Sequence, residues 1–195
     1  VLGLYAHLSA ADLIRDLMVN WWDGRAQLLA RAMAEPMRMA ADDTLLLSQS
    51  RSVGKLAAAL DAGASGPVAD PDVVQDVRRE FEALAARRGY YRHIAYVAND
   101  GSVAVRVDPA GPWGTSGSSE DLMEVPGGRF LSRVRELPPG GLYVSELRLH
   151  RVGGRVQVPP RPSMRFAARV RSAPGPGGFL VIDMDADHLL SGLRT

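Results

Sequence analysis

Apolar residues recur every three or four positions through the first part of the chain. Leu13, Leu17, Trp21, Leu28 and Met33, with Ile14, Met18, Trp22 and Leu29 beside them, make a broad stripe. That spacing predicts an amphipathic helical segment over residues 9–60 whose stripe must bury against another layer. Ser9 and Asp12 mark its start, the hydroxyl for a free amide and the carboxylate for the positive helix end. Pro36, which lacks an N–H and crowds the turn before it, predicts a kink or a stop, with a second helical stretch over residues 43–60. After a Gly, Ala and Ser-rich loop, Asp70-Pro71 predicts an N-cap with proline in the first turn, opening a helix that runs to Arg88 and stops at Gly89.

The period then changes from three or four to two. Ile94, Tyr96, Val103, Val105 and Val107 alternate around Asn99-Asp100-Gly101, which predicts a β-hairpin over residues 90–108. Residues 109–128 are rich in Gly, Ser and Pro and predict a loop with one short helix near residues 121–125; a further helix is expected over residues 129–136. Three strands follow, over residues 141–149, 164–172 and 178–185, separated by a Gly153-Gly154 turn with a proline-bearing loop and by the Pro174-Gly175-Pro176-Gly177 turn. A last helix is expected from residue 186. Five strands with helices inserted between the second and third predict an α+β fold: a PAS-like five-stranded antiparallel sheet with a long N-terminal helix packed on one face and short helices and loops on the other. Two parts are expected, a helical segment over residues 1–60 kinked near Pro36 and a lobe over residues 61–195.

Composition narrows the function more than the fold. The 195 residues are 46% hydrophobic and 23% charged, ordinary globular values, and a net charge of +1 supplies no field to concentrate nucleic acid. With no cysteine, disulfide scaffolds, thiolate metal sites and thiol catalysis are excluded. No window reaches the roughly 18 consecutive apolar residues of a membrane span. The chain begins at Val1 and a helical pattern follows almost at once, which suggests a segment of a longer protein with flanking membrane spans.

The strand segments carry a resemblance. Tyr91-Arg92-His93-Ile94-Ala95-Tyr96-Val97 with Asp100-Gly101 and Val105-Arg106-Val107 is similar to the first hairpin of the double-Cache (PDC) sensor domains. Leu142-Tyr143-Val144-Ser145 resembles their G-x-V-Y-V-S-P-L strand, and Pro162-Ser163-Met164-Arg165-Phe166-Ala167 their P-x-I-R-F-A segment. Residues 178–190 resemble their G-x-x-V-x-N-x-x-x-x-x-L-L end. Together these cover residues 90–193 in the family's order. The resemblance implies an extracytoplasmic small-molecule sensing domain of a bacterial histidine kinase, diguanylate cyclase or chemoreceptor, periplasmic or extracellular and attached to an inner-membrane protein. The usual family member has a second PAS-like lobe after this end, so the chain is expected to be either a single-lobe version or a segment with a second lobe or membrane span beyond residue 195; a homodimer through the N-terminal helix is also expected. The chain departs from the family where cations precede the third strand, with Val125 and Gly128 in their places, and Ala95 replaces the hairpin arginine.

Polar residues inside strands of a sheet covered on both faces are the candidate ligand contacts: Tyr143, Arg165, Arg106, Ser145, His93 and Asp183. A guanidinium there needs a counter-charge, which a carboxylate or amino-acid-like ligand can supply in bidentate fashion. The alternative is internal pairing of Arg106 and Arg165 with Asp108, Glu146 or Asp183. Asp183, Asp185 and Asp187 follow an apolar strand much as the first acids of a phosphotransferase motif do, but only eight residues remain for the rest of such a site, so a helix N-cap at Asp185 or Asp187 is the better reading. No nucleophile, base and orienting group can be assembled, and no metal-ligand spacing exists among the scattered histidines, so no enzyme, cofactor or metal is expected. The alternative to a sensor is a ligand-free PAS-like module that recognises a periplasmic protein partner or serves as a dimerisation spacer.

Overall fold

The computed structural model describes residues 33–62, 70–109, 129–138, 140–152, 155–156, 158–172, 175 and 177–187. The expected helix over residues 9–32, Trp21 and Trp22 included, and the short helix near residues 121–125 lie outside these.

Three helices come first. α1 occupies residues 33–48, Pro36 included, and α2 is Arg51–Ala62. The chain breaks between them at Gln49 and Ser50, so the expected continuous stretch over residues 43–60 is interrupted in its middle. Ser50 is the reason: its Oγ accepts from the amide of Val53 at 3.3 Å, which starts a new helix rather than prolonging the old one. α3 is Pro71–Arg88, with the Asp70 carboxylate accepting from the amide of Asp72 at 3.0 Å and Gly89 closing the helix at φ 69°, a left-handed position suited to glycine. Both ends fall where the sequence predicts.

The hairpin follows. β1 (Tyr91–Val97) and β2 (Val103–Val107) pair antiparallel around the Asn99-Asp100-Gly101 turn. After α4 (Arg129–Arg135) come β3 (Leu142–Val144) and β4 (Arg148–Leu149), which divide the single strand expected over residues 141–149. Both pair with β7 (Pro162–Arg169), so they form one interrupted edge. β5 (Arg151–Val152) and β6 (Arg155–Val156) make a two-stranded hairpin where only a turn was expected. β8 (Phe179–Asp185) completes the sheet in the order β2-β1-β8-β7-β3, so the last strand is central.

Both faces are covered, and the strands carry apolar residues on both. One face sets Ile94, Tyr96, Val105, Phe166, Leu180 and Ile182 against Leu47, Val53, Leu56, Val77, Phe81 and Leu84 of α1, α2 and α3. The opposite face sets Ala95, Val97, Ala167, Phe179 and Val181 against Phe130 and Val134 of α4. All seven residues of β8 are buried. This is the two-layered covering that the imperfect alternation of residues 179–183 calls for.

Side-chain bonds tie the helices to one another and to the sheet. Asp43 of α1, 6% exposed, accepts two bonds from the Arg88 guanidinium at 2.7 and 2.8 Å and one from the Tyr91 hydroxyl at 2.6 Å. Ser50 and Ser52, at the start of α2, both donate to Glu80 of α3.

Two glycines test this packing in opposite senses. A methyl group at Gly178 would collide with the carbonyl oxygen of Val97 and lie 2.6 Å from the Tyr96 hydroxyl, whereas one at Gly54, inside α2, meets nothing within 4 Å. Gly178→Ala is therefore expected to destabilise the fold by about 1–3 kcal/mol. Gly54→Ala is expected to stabilise it by up to about 1 kcal/mol through helix propensity. Urea unfolding of the two variants measures both.

Candidate functional site

The strand registers bring the sequence-selected residues together. His93 lies opposite Asp183, and Asp183 lies opposite Arg165, giving one rung across β1, β8 and β7. Ser145 extends it: its amide donates to the Arg165 carbonyl at 2.8 Å, and its Oγ accepts from the Arg165 amide at 2.9 Å. The next rung on the same face runs Arg106, Ala95, Val181, Ala167, Tyr143. All six candidates thus occupy two neighbouring rungs, roughly 7 Å apart, on the face that α4 covers. None faces the three N-terminal helices.

Their environments differ. Asp183 is fully buried and His93 nearly so, whereas the Arg106 and Arg165 side chains keep 13% and 12% of their exposure. Arg165 Nε donates to Asp183 Oδ2 at 3.1 Å, and Arg106 holds Asp108 at 2.7 Å, so both cations have internal counter-charges. Arg165 also lies 5.9 Å from the centre of the Phe130 ring, and Tyr143 meets that ring edge-on with centroids 5.6 Å apart. The middle of the second rung is small, Ala95 and Ala167 flanking Val181, with a cation at one end and the Tyr143 ring at the other.

Two of the buried atoms without a hydrogen-bond partner belong to the first rung of this face. His93 Nε2 is 3.8 Å from Asp183 Oδ2, too far for a hydrogen bond, and neither it nor Asp183 Oδ1 has a hydrogen-bond partner. Buried polar groups are nearly always paired, so these two atoms are exceptions to the usual pattern. Burial, with Arg106, Arg165 and His150 adding repulsion, outweighs Asp183 and pushes the His93 imidazole down to about 3. Burial raises the Asp183 carboxyl, but His93, then Arg165 and His150, together with the bond from Arg165, outweigh it and hold it below the usual carboxylate range. At neutral pH the face therefore presents an ionised carboxylate beside an uncharged imidazole.

A third rung was not foreseen. Asp185 pairs with Arg92 at 3.2 Å, both buried, and stands opposite Ser163, which stands opposite Arg148. Asp185 Oδ1 also accepts from the amide of Asp187 at 3.1 Å, the N-cap geometry expected at the strand's end. The signal was present in the two-residue spacing of Asp183 and Asp185 on an apolar strand, which puts two carboxylates on one face and demands two cations from neighbouring strands. Phe130 carries no such signal, because its position over Arg165 depends on where α4 lands. Among the described residues no group of acids and histidines could hold a metal ion, and no helix is long and apolar enough to cross a membrane.

No family model and no curated protein matches this chain. Solved structures do. The extracellular domain of a histidine kinase superposes with a TM-score of 0.65 at 18% identity, covering 87% of this chain and 57% of that one. A domain of a sensory box/GGDEF family protein from Vibrio parahaemolyticus gives 0.65 and 18%, with 87% and 60% covered. The sensor domain of the V. cholerae histidine kinase DctB gives 0.60 and 12%, with 92% and 60% covered. The chain spans about three-fifths of the length of each. The fold is the α+β, PAS-like fold of extracytoplasmic sensor domains. It is the architecture that the resemblance to the double-Cache domains implies.

The His93 imidazole makes stability depend on pH. Its folded value lies below the 6.5 of the free side chain, so its contribution is fully present above pH 6.5 and is lost as the pH falls toward 3. From pH 7 to pH 5 the wild-type protein should lose about 2 kcal/mol more than a His93→Gln variant. Urea unfolding at both pH values checks this; equal losses would mean that His93 is protonated in the folded state.

Proposed function

We propose that this chain is the extracytoplasmic small-molecule sensing domain of a transmembrane signal-transduction receptor, non-catalytic in itself. The observation that carries the reading is the pair of unsatisfied buried atoms, Asp183 Oδ1 and His93 Nε2, on the face between the sheet and α4, with Tyr143, Phe130 and Arg165 around them. A ligand that donates to the carboxylate, hydrogen-bonds His93 Nε2 and packs against the aromatic pair would satisfy both atoms. Its seat lies over the small residues Ala95 and Ala167, and α4 is the element it would displace. The coupling to output is a shift of population between two arrangements of α4 and the N-terminal helices around the sheet. The fold shared with solved sensor domains of histidine kinases supports the signalling role, and their extracellular placement supports an extracytoplasmic one.

A second reading has its own observation. Arg106 and Arg165 already have carboxylate partners, and Val144, Leu147, Leu149, Val156 and Val158 are exposed along the β3–β4 edge and the β5–β6 hairpin. Satisfied cations beside an exposed apolar edge favour a ligand-free interaction module that docks a protein partner or a second copy.

A thermal-shift screen of amino acids, carboxylates, polyamines and sugars separates the two. A saturable hit whose affinity falls at least tenfold in both Asp183→Asn and Tyr143→Ala supports sensing at this face. Silence across the screen, together with concentration-dependent dimerisation that Leu147→Glu and Val158→Glu abolish, supports the interaction module and refutes the sensor.

A further inference from the structure

A cavity of about 360 Å³ lies beyond the polar rungs, where the break between α1 and α2 meets the end of β7. Ser48, Gln49, Ser50 and Gly54 line it from the helices, and Gly140, Arg169 and Arg171 from the sheet side. Arg169 is four residues along β7 from Arg165, roughly 13 Å, so the cavity is separate from the His93 and Asp183 face. Its size falls at the lower end of the range for small-molecule sites.

The charges around it are one-sided. Among the described residues that line it, none carries a carboxylate. Arg169 Nη1 donates to the backbone carbonyls of Arg135 and Leu137, at 2.6 and 3.2 Å, which fixes the guanidinium without neutralising it. Arg171 is exposed and, among the described residues, has neither an ion pair nor a hydrogen bond. On the helix side, Glu80 accepts from the Ser50 and Ser52 hydroxyls. Gly54 adds a second signal. Glycine inside a helix costs about 1 kcal/mol relative to alanine, and this one has no steric need for it, since a Cβ there would meet no atom within 4 Å. What its missing side chain provides is room in the cavity.

We infer that this cavity is a second binding site, for a small oxyanion such as a carboxylate or a phosphate, held between Arg169 and Arg171. Two guanidinium groups with free edges suit the planar or tetrahedral oxygens of such ions. An anion seated there bridges the α1–α2 break to the end of β7 and stiffens the joint between the helices and the sheet. The site is independent of the proposed sensing face.

Calorimetric titration with sodium phosphate and with sodium succinate, against sodium chloride at matched ionic strength, tests it. The wild-type protein is expected to bind at least one of the two saturably at millimolar concentration or below, and the anion that binds distinguishes a phosphate source from a carboxylate source. Arg171→Gln, at an exposed position, should weaken binding at least tenfold. Gly54→Leu should abolish it while the melting temperature holds or rises, because the new side chain fills the cavity from an open helix position. Absence of saturable binding by either anion, or binding unchanged in both variants, overturns the inference.

Discussion

A carboxylate buried in the central strand of a sheet that is covered on both faces has no water to solvate it, and the polar side of this protein is arranged around that constraint. Asp183 is fully buried, and the neighbouring strands answer it with Arg165 on one side and His93 on the other. An unpaired ion at that depth would cost several kcal/mol. Arg165 meets the charge while its guanidinium lies 5.9 Å from the centre of the Phe130 ring, which links the carboxylate to α4. Asp185 repeats the arrangement one rung further with Arg92. On the opposite face the buried carboxylate belongs to a helix, Asp43 of α1 paired with Arg88, and every polar candidate on the sheet lies on the α4 side.

The fold was legible because its signals are local. Asp70 and Gly89 bound α3 through capping chemistry that needs only neighbouring residues, and Asn99-Asp100-Gly101 sets the hairpin in the same way. The break at Gln49 and Ser50 was not read, since Pro36 was the stronger local signal and Ser50 is one polar residue among several. The β5–β6 hairpin escaped because two-residue strands carry no period. For the site, residue types pointed to the right face, while register decided the partners. Arg165 and Asp183 are eighteen residues apart in sequence, and only the pairing of β7 with β8 makes them neighbours. Internal pairing and ligand contact were both open from the sequence; the structure pairs both arginines and leaves Asp183 Oδ1 and His93 Nε2 as the open valences.

The Asp43 cluster bears on how such a domain moves. Three hydrogen bonds converge on one side chain of α1, and they come from the last turn of α3 and the first residue of β1. Among the described residues, α1 is otherwise held by apolar contacts, Ala40 and Leu47 among them, which are less directional than hydrogen bonds. Asp43 would be the pivot of any rotation of α1, five residues from its end. A small displacement of the short arm, at the α1–α2 break, would be returned with the opposite sense and larger amplitude along whatever length of helix extends the other way. In mechanical terms such a motion would be that of a lever, with a gain set by the ratio of the two arms.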